Sequence, residues 1–266
     1  MNRAPIGIFD SGIGGLTVAR AIYERLPHES TVYFGDTARV PYGPKSPETV
    51  RRYSLEILQW LLSQGVKAVV IACNTSTAHA LRALQKATPV PVLGVIKPGA
   101  RAAIEAGGGG PIGVIGTVGT IASDAYNRAI QALAPGLPVI QRACPLFVPL
   151  VEEGWFEHPA TELVAADYLR ELREACVRSL VLGCTHYPLL KPLLQRVMGP
   201  EVRLVDSGQA TASALETILV TQALEAPRDS KAHHRFIVSD DEARFRQVGS
   251  RFIGERLGKA EVVPLG

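Results

Sequence analysis

Two cysteines occupy matching positions in two similar stretches of the chain. The stretch Val66–Thr75 aligns without a gap on Val177–His186, which pairs Cys73 with Cys184 at an offset of 184 − 73 = 111 residues. In both stretches the thiol follows an apolar run typical of a buried strand, and small polar residues come next. Such a duplication is hard to explain by packing, so both thiols are candidates for chemistry.

Each of these thiols also precedes a stretch with helical periodicity, 76–86 after Cys73 and 189–197 after Cys184. The N-terminus of a helix stabilises negative charge, so both positions favour a thiolate. The other two cysteines lack this context, and a free cysteine usually packs as a small hydrophobic residue. We therefore expect that Cys144, and Cys176 within a predicted helix, are structural.

A pair of equivalent thiols suits the inversion of a stereocentre. One thiolate removes a proton from one face of a carbon atom, and the other thiol returns a proton to the opposite face. Two related halves of one chain would supply the two opposed faces. A thiol of pKa ~8.5 costs about 2 kcal/mol to ionise at pH 7, so neighbouring groups must assist the transfer.

The elements that would hold these thiols alternate between strands and helices along the chain. β-branched runs, each followed by a turn and an amphipathic stretch, predict parallel βαβ units and an α/β fold. A second repeat, Ile6–Gly12 on Ile112–Val118 with an offset of 112 − 6 = 106, supports two related halves, and Gly107–Pro111 marks a turn before the second half. The predicted strands are 6–9, 31–34, 68–72, 90–95, 112–115, 179–182, 202–205 and 236–238, with a further helix over 210–223.

The composition is that of a globular chain large enough for two domains. Of the 266 residues 47% are apolar and 20% charged, and the net charge of +3 is spread out, which gives no sign of a nucleic-acid or membrane partner. No apolar stretch reaches the ~18 residues of a membrane span and no signal-peptide core follows Met1, so a cytoplasmic location is expected. The four cysteines include no close pair, which argues against a disulfide framework or a C-x-x-C metal site.

Four short motifs carry a resemblance to a known enzyme family. In order and spacing they resemble the signature motifs of glutamate racemases, from Ile6 to about Ala210. The motifs are Asp10-Ser11-Gly12-Ile13-Gly14-Gly15, Val40-Pro41-Tyr42-Gly43, Ala72-Cys73-Asn74-Thr75 and Gly183-Cys184-Thr185-His186-Tyr187-Pro188. Aspartate and hydantoin racemases share the two-cysteine plan, but Asp-Ser-Gly near the start combined with Cys-Thr-His at the second cysteine resembles the glutamate branch.

The resemblance implies a fold and an activity. It implies two flavodoxin-like or Rossmann-like parallel-sheet domains related by a pseudo-twofold axis, residues 1–97 plus 208–266 and residues 98–207, with the active site in the cleft between them. It also implies interconversion of L- and D-glutamate without metal, flavin, nicotinamide or pyridoxal phosphate, to supply D-glutamate for peptidoglycan, the cell wall and cell shape. Glutamate is the implied partner, and family members are often homodimers.

Roles for individual residues also follow from the resemblance. Cys73 would be the base for D-glutamate and Cys184 the base for L-glutamate, although the residues alone leave the opposite assignment open. Asp10 would assist Cys73, while His186, oriented by Glu152, would assist Cys184. The residues implied to surround the substrate are Asp10, Ser11, Pro41, Tyr42, Gly43, Asn74, Thr75, Thr117, Thr185 and His186, with Thr120 as a further candidate.

Several alternatives stay open at this point. Glu153 is a second candidate for the carboxylate beside His186, and an aspartate racemase or another two-cysteine amino-acid racemase would use the same plan. A nucleotide-binding protein is a remote alternative, because Asp36 follows a glycine-rich turn at the spacing of a ribose ligand, but Thr17 replaces the third glycine of the motif. A redox protein would require a disulfide between the two repeated cysteines, and a binding module would use the fold without turnover.

Overall fold

Two parallel sheets with helices on their faces make up the computed structural model, which describes residues 2–265. Within that range the strands are β1 (Ile6–Asp10), β2 (Thr31–Gly35), β3 (Ala68–Ile71), β4 (Val92–Gly94), β5 (Ile112–Gly116), β6 (Val139–Ala143), β7 (Ser179–Gly183), β8 (Arg203–Val205), β9 (His234–Val238) and β10 (Ala260–Val262). The helices are α1 (Leu16–Arg25), α2 (Pro47–Ser63), α3 (Asn74–Ala87), α4 (Ile96–Gly107), α5 (Val118–Ala122), α6 (Ala125–Leu133), α7 (Phe147–Glu152), α8 (Pro159–Tyr168), α9 (Arg170–Glu174), α10 (Lys191–Met198), α11 (Ser207–Thr221) and α12 (Glu242–Ile253). Among the described residues, no helix has both the length and the apolarity to cross a membrane.

The order of the strands confirms the predicted α/β class with two parallel sheets. The first sheet has the order β10-β9-β2-β1-β3-β4 and the second the order β6-β5-β7-β8, and every pairing is parallel. The central strands consist of buried residues, because helices cover both faces of a parallel sheet. The strands of the two sequence repeats are neighbours in their sheets, β1 beside β3 and β5 beside β7.

The C-terminal part of the chain returns to the first sheet. β9 pairs with β2 and β10 pairs with β9, so strands that come after β8 complete the sheet that β1–β4 begin. The chain passes between the sheets through α4 and α11, which pack against each other, and α11 also packs along α1. The limits 1–97 plus 208–266 and 98–207 for the two domains stay a prediction.

One apolar cluster extends through both sheets. It joins Ile8 and Tyr33 of the first sheet to Leu180 and Leu182 of the second, and it includes Phe245 of α12. These five side chains are buried. Burial of each large apolar side chain contributes roughly 1.5–3 kcal/mol, so the shared core holds the two sheets to each other as well as to their own helices.

Several elements differ from the sequence-based expectation. The prediction that Cys176 lies buried in a helix is wrong, because α9 ends at Glu174 and Cys176 is exposed, with a φ of 49°. The helix after Cys184 begins at Lys191, behind the 3-10 turn Tyr187–Leu190, so this cysteine does not cap an α-helix. β6, β10 and α12 have no full counterpart among the predicted elements.

Candidate active site

The two repeated cysteines lie at the carboxyl edges of the two sheets. Cys73 follows β3 after one intervening residue, and Cys184 directly follows β7. Asp10 is the last residue of β1, which neighbours β3, and Thr117 directly follows β5, which neighbours β7. The carboxyl edge is where open parallel sheets bind ligands, so both thiols stand where a substrate would enter.

Cys73 is the N-terminal cap of α3 and is nearly fully buried. Its sulfur accepts a hydrogen bond from the backbone N–H of Ser76 at 3.4 Å, and its thiol donates to Ser11 Oγ at 3.7 Å. Burial raises the pKa of Cys73 to about 11, with the negative charge of Asp10 acting in the same direction and the bonds to Ser76 and Ser11 opposing it. Near neutral pH this side chain is therefore a thiol that can donate a proton.

Asp10 shares the edge of the first sheet with Cys73 and has no exposed surface. Burial raises the pKa of Asp10, although the charge of His186 and the backbone N–H groups of the following loop lower it. Its Oδ2 atom accepts the N–H of Gly12 at 3.1 Å, whereas Oδ1 is buried and, among the described residues, meets no hydrogen-bond donor. A carboxylate with a free acceptor and an increased affinity for protons suits proton exchange with a neighbouring thiol.

Cys184 has a different partner, the imidazole of His186. The Cys184 Sγ atom lies 3.9 Å from His186 Nδ1, and His186 Nε2 lies 3.1 Å from Glu152 Oε1. Burial opposes the charged imidazole, but the hydrogen bonds and charges of Cys184 and Glu152 outweigh it and raise the pKa of His186 to about 10. The hydrogen bond with His186 lowers the pKa of Glu152, so the pair is an imidazolium and a carboxylate at neutral pH.

The glycine-rich loop after β1 brings the two halves into contact. A Cβ atom on Gly14 would lie 2.3 Å from Thr185 Oγ1 and 2.5 Å from His186 Nδ1, so only glycine allows this close approach. The hydroxyl of Thr17 donates to the carbonyl oxygen of Thr185 at 3.2 Å. The loop that holds Asp10 in the first half thus packs directly on the loop that carries Cys184 in the second.

Three threonine hydroxyls form a second bridge between the halves. Thr75 Oγ1 lies 2.9 Å from Thr117 Oγ1 and 3.2 Å from Thr120 Oγ1, and Thr117 also donates to Thr120 at 3.0 Å. Next to this cluster the N–H of Gly119 donates to the carbonyl oxygen of Gly43 at 2.9 Å. Hydroxyl groups that now bind one another can turn toward the carboxylate of a ligand.

Asn74 offers a further polar group at the start of α3. Its Oδ1 atom accepts the hydroxyl of Tyr126 at 2.8 Å, while its Nδ2 atom is buried and has no acceptor within residues 2–265. An unsatisfied buried amide is costly, about 1–3 kcal/mol, so a ligand oxygen that accepts from Nδ2 would be favoured. Thr185, also buried, lies on the facing loop.

The segment around Tyr42 is held by a buried acid. The hydroxyl of Tyr42 donates to Asp36, which also accepts from Arg39 Nε at 2.8 Å and from the hydroxyl of Ser239 at 2.8 Å. Asp36 is therefore engaged with protein groups, and it is not a free ribose ligand. Tyr42 itself contributes its ring and backbone to the site, since its hydroxyl is occupied, and the adjacent Pro41 is exposed.

The sequence analysis missed two arginines of α12 that reach Glu152. Arg244 Nη2 lies 3.2 Å from Glu152 Oε2, and Arg251 Nη1 donates to the carbonyl oxygen of Glu152 at 2.7 Å. The spacing of seven residues places both arginines on one face of a helix, which the sequence could have indicated. Their target, more than ninety residues earlier, is set only by the tertiary fold.

The four cysteines are free thiols, which gives no support to a redox function based on a Cys73–Cys184 disulfide. Within residues 2–265, no group of three His, Cys, Asp or Glu side chains is arranged to hold a metal ion. A surface groove of about 940 Å³ lies between α3 and α6, but neither Cys73 nor Cys184 lines it. The polar groups that face each other across the two sheet edges are thus the candidate site.

Nearly the whole chain is similar to known racemases in sequence and structure. The Asp/Glu/hydantoin racemase family model matches residues 16–215. A glutamate racemase of Geobacter metallireducens is 54% identical over 260 residues, which cover 98% of this chain and 96% of that protein. The crystal structure of glutamate racemase isoform RacE1 from Bacillus anthracis matches with a TM-score of 0.93 at 40% identity, covering 100% of this chain and 98% of that one. A structure of the Francisella tularensis glutamate racemase in complex with D-glutamate has a TM-score of 0.92 at 37% identity, covering 99% and 98%.

Proposed function

The chain belongs to the Asp/Glu/hydantoin racemase family, and on that premise we propose that it is a glutamate racemase, which interconverts L- and D-glutamate without a cofactor. The observation that carries the proposal is a pair of buried thiols at equivalent strand ends, each with its own proton-exchanging neighbour. Asp10 is the neighbour of Cys73, and His186 is the neighbour of Cys184. An enzyme that inverts a carbon atom between two opposed bases requires such a pair.

In the direction from L- to D-glutamate, Cys184 removes the α-proton as a thiolate and Cys73 returns a proton to the opposite face. The surroundings of the two thiols suit this step, because the raised pKa keeps Cys73 a thiol and the imidazole of His186, whose pKa is raised to about 10, lies 3.9 Å from the Cys184 sulfur. The α C–H group is a weak acid, so the activation barrier for its deprotonation is high. Preorganised hydrogen-bond donors in a site that excludes water must lower most of this barrier.

In the reverse direction the two thiols exchange roles. Cys73 must then lose its proton, and Asp10 is the acceptor, since its own pKa is raised and one of its oxygens has no donor among the described residues. His186 supplies the proton that Cys184 returns to the substrate. The assignment of D-glutamate to Cys73 and L-glutamate to Cys184 is part of the proposal.

Hydrogen bonds would carry the recognition of glutamate. The buried Nδ2 of Asn74, without an acceptor among the described residues, is suited to one carboxylate, and the Thr75–Thr117 hydroxyl bridge is suited to another oxygen of the same ligand. The proposed substrate-binding residues are Asp10, Ser11, Pro41, Tyr42, Gly43, Asn74, Thr75, Thr117, Thr185 and His186. Because no arginine is among them, each hydroxyl or amide contributes a modest share of the affinity.

The proposed role in the cell is the supply of D-glutamate for peptidoglycan, and thereby for the cell wall and cell shape. We also propose that the chain works in the cytoplasm as a homodimer. Sedimentation equilibrium of the purified protein tests the second point, and a molecular mass of one chain at all concentrations would contradict it.

The activity is tested by circular dichroism of L-glutamate incubated with the purified, dialysed protein and no added cofactor. We expect the signal to decay to that of the racemate, and constant optical activity would contradict the proposal. Cys73→Ser and Cys184→Ser should each slow the decay by about a thousandfold, since each removes one of the two proton carriers. Cys176→Ser is the matched control, because Cys176 is exposed and remote, and it should leave the rate unchanged. A parallel assay with L-aspartate that ran faster than the glutamate assay would contradict the substrate assignment.

A further inference from the structure

The C-terminal helix α12 reaches from the first half of the molecule to an acid in the second half. α12 lies in sequence between β9 and β10, both strands of the first sheet, and it packs against β10 and α1. Glu152 is the last residue of α7, which follows β6 of the second sheet. The contacts between α12 and Glu152 therefore join the two halves on the side of Cys184.

Two arginines of α12 hold Glu152 at different atoms. Arg244 Nη2 lies 3.2 Å from the Oε2 atom of the carboxylate, and Arg251 Nη1 donates to the main-chain carbonyl oxygen at 2.7 Å. That carbonyl is at the C-terminus of α7, where a cation is electrostatically favoured. Arg251 also passes close to Gly154, which has a φ of 79° and whose added Cβ atom would lie 2.9 Å from Nη1, so a side chain there would displace the guanidinium.

The second oxygen of the carboxylate serves the histidine. Glu152 Oε1 lies 3.1 Å from His186 Nε2, and the other ring nitrogen of His186 faces Cys184 Sγ at 3.9 Å. The ring of Phe252, also on α12, contacts the imidazole edge-on with centroids 5.6 Å apart. The imidazole is thus oriented on one side by a carboxylate that α12 holds, and on another side by a ring that α12 supplies.

We propose that Arg244 is a positioning residue for proton transfer at Cys184, acting through Glu152 and His186, and that Arg251 fixes the main chain of Glu152 for the same purpose. The inference rests on the proposed racemase activity. Arg244 is about half exposed and its ion pair is partly screened, so its contribution lies in the orientation of the carboxylate, not in the strength of the pair. Cys73 has no such connection to α12 among the described residues, so the effect should be confined to one of the two proton transfers.

Arg244→Gln tests this asymmetry. We expect kcat to fall about tenfold with KM within about twofold of wild type, as for an interaction that matters mainly in the transition state. The decisive measurement is the primary deuterium isotope effect on kcat/KM with each α-deuterated enantiomer. The effect should rise for L-glutamate, whose C–H bond Cys184 breaks, and fall toward the equilibrium isotope effect for D-glutamate, whose C–H bond Cys73 breaks, because the variant raises only the Cys184 barrier. Isotope effects that stay as in wild type for both enantiomers would overturn the inference.

Two further variants separate positioning from a general loss of structure. Arg244→Lys keeps a cation that can donate to one carboxylate oxygen, and it should recover most of kcat and the wild-type isotope effects. Arg246→Gln is the matched control on the same helix, because Arg246 is exposed and its ion pair is a weak one to Glu242 at 3.9 Å, and it should behave as wild type. If wild type itself does not racemise glutamate, the proposed function fails. If wild type is active and Arg246→Gln matches Arg244→Gln, the positioning role of Arg244 is refuted.

Discussion

The two thiols of the site lie in different electrostatic surroundings, although they come from equivalent strand ends. Cys73 is surrounded by hydroxyl groups and the buried acid Asp10, and its pKa is raised to about 11. Cys184 faces the imidazole of His186, whose pKa is raised to about 10. In the proposed reaction, an uncharged thiol would therefore act on one face of the substrate and a thiol beside a cation on the other. Because the pKa of His186 is raised, the charge on its imidazole can be tested through the pH dependence of stability.

The stability that His186 contributes should fall with rising pH. Because the pKa of about 10 in the folded protein exceeds the ordinary histidine value of 6.5, the contribution of the imidazolium is fully present below pH 6.5 and is lost as the pH rises through about 10. At pH 6 the free energy of unfolding should therefore be higher for wild type than for His186→Asn. As the pH rises, this difference should shrink by at most about 1.4 kcal/mol per pH unit. Urea unfolding followed by circular dichroism at pH 6, 8 and 10 measures the difference.

The matched control for this experiment is His28→Asn, because His28 is exposed and precedes β2, at the edge of the sheet opposite the carboxyl edge that carries the site. It measures the effect of a histidine-to-asparagine change away from the site, and the result for His186→Asn is compared with it at each pH. A difference between wild type and His186→Asn that stays constant from pH 6 to pH 10 would show that folding does not raise the pKa of His186.

The sequence indicated candidate site residues through short motifs, and the contacts that it did not indicate involve residues outside those motifs. Cys73 and Cys184 could be found because an internal repeat placed both at strand ends. The hydrogen bond that the Tyr42 hydroxyl donates to Asp36 could not be predicted, because it depends on how one loop folds back on itself. The position of Arg244 at Glu152 depends on packing between the two halves, which local sequence does not encode.

Secondary structure elements were predictable where burial was complete. β1, β5 and β7 are uniformly buried strands, and apolar runs marked each of them to within one residue at either end. β6 is half-buried along its length and includes Gln141 and Arg142, so it has no apolar run to detect. β10 has three residues, two of them exposed, and it exists because β9 offers it a partner. Edge strands of this kind are set by the sheet they join.

The short helix α5 begins at one of the three threonines whose hydroxyls bridge the two halves. Thr117 is its N-cap and accepts the N–H of Thr120 at 3.2 Å, while the same hydroxyl faces Thr75 of the other half. Thr117→Val keeps the shape and removes the hydroxyl, so we expect KM for glutamate to rise about tenfold, the equivalent of about 1.4 kcal/mol. The lost cap should also lower the free energy of unfolding by about 1 kcal/mol. Initial rates over a range of glutamate concentrations and urea unfolding give the two values.

Thr117→Ser separates the hydroxyl from the methyl group. It retains the cap and the bridge, so KM and stability should stay close to wild type. Thr217→Val removes a hydroxyl that bonds the carbonyl oxygen of Ser213 on the exposed face of α11, and it controls for a threonine-to-valine change away from the site. A KM for Thr117→Val equal to that of Thr117→Ser would exclude the hydroxyl from substrate binding.

At the scale of the whole molecule, the two sheets are joined too extensively to act as independent units. The apolar cluster that includes Ile8 and Leu180 is continuous from one sheet to the other. α11 packs on α1 of the first half and on α4, which in turn packs on α6 and β7 of the second half. A contiguous core is the usual mark of one cooperative folding unit.

The two tryptophans allow this cooperativity to be measured in each half. Trp60 lies in α2 against Phe34 of the first sheet, with ring centroids 5.1 Å apart, and Trp155 follows α7 in the second half and stacks on His158 at 4.1 Å. The chain has two tryptophans, so Trp155→Phe leaves Trp60 as the fluorescent probe of the first half and Trp60→Phe leaves Trp155 as the probe of the second half.

Each variant has its own stability, so fluorescence must be compared with far-ultraviolet circular dichroism of the same variant. If the shared core couples the halves, the two signals coincide in urea for both variants, with midpoints that agree within about 0.2 M. A Trp155 transition at lower urea than the loss of circular dichroism, together with a Trp60 transition at higher urea, would mean that the second half unfolds alone. In that case the contacts of Arg244, Gly14 and Thr117 between the halves would be too weak to hold the site together in the absence of a ligand.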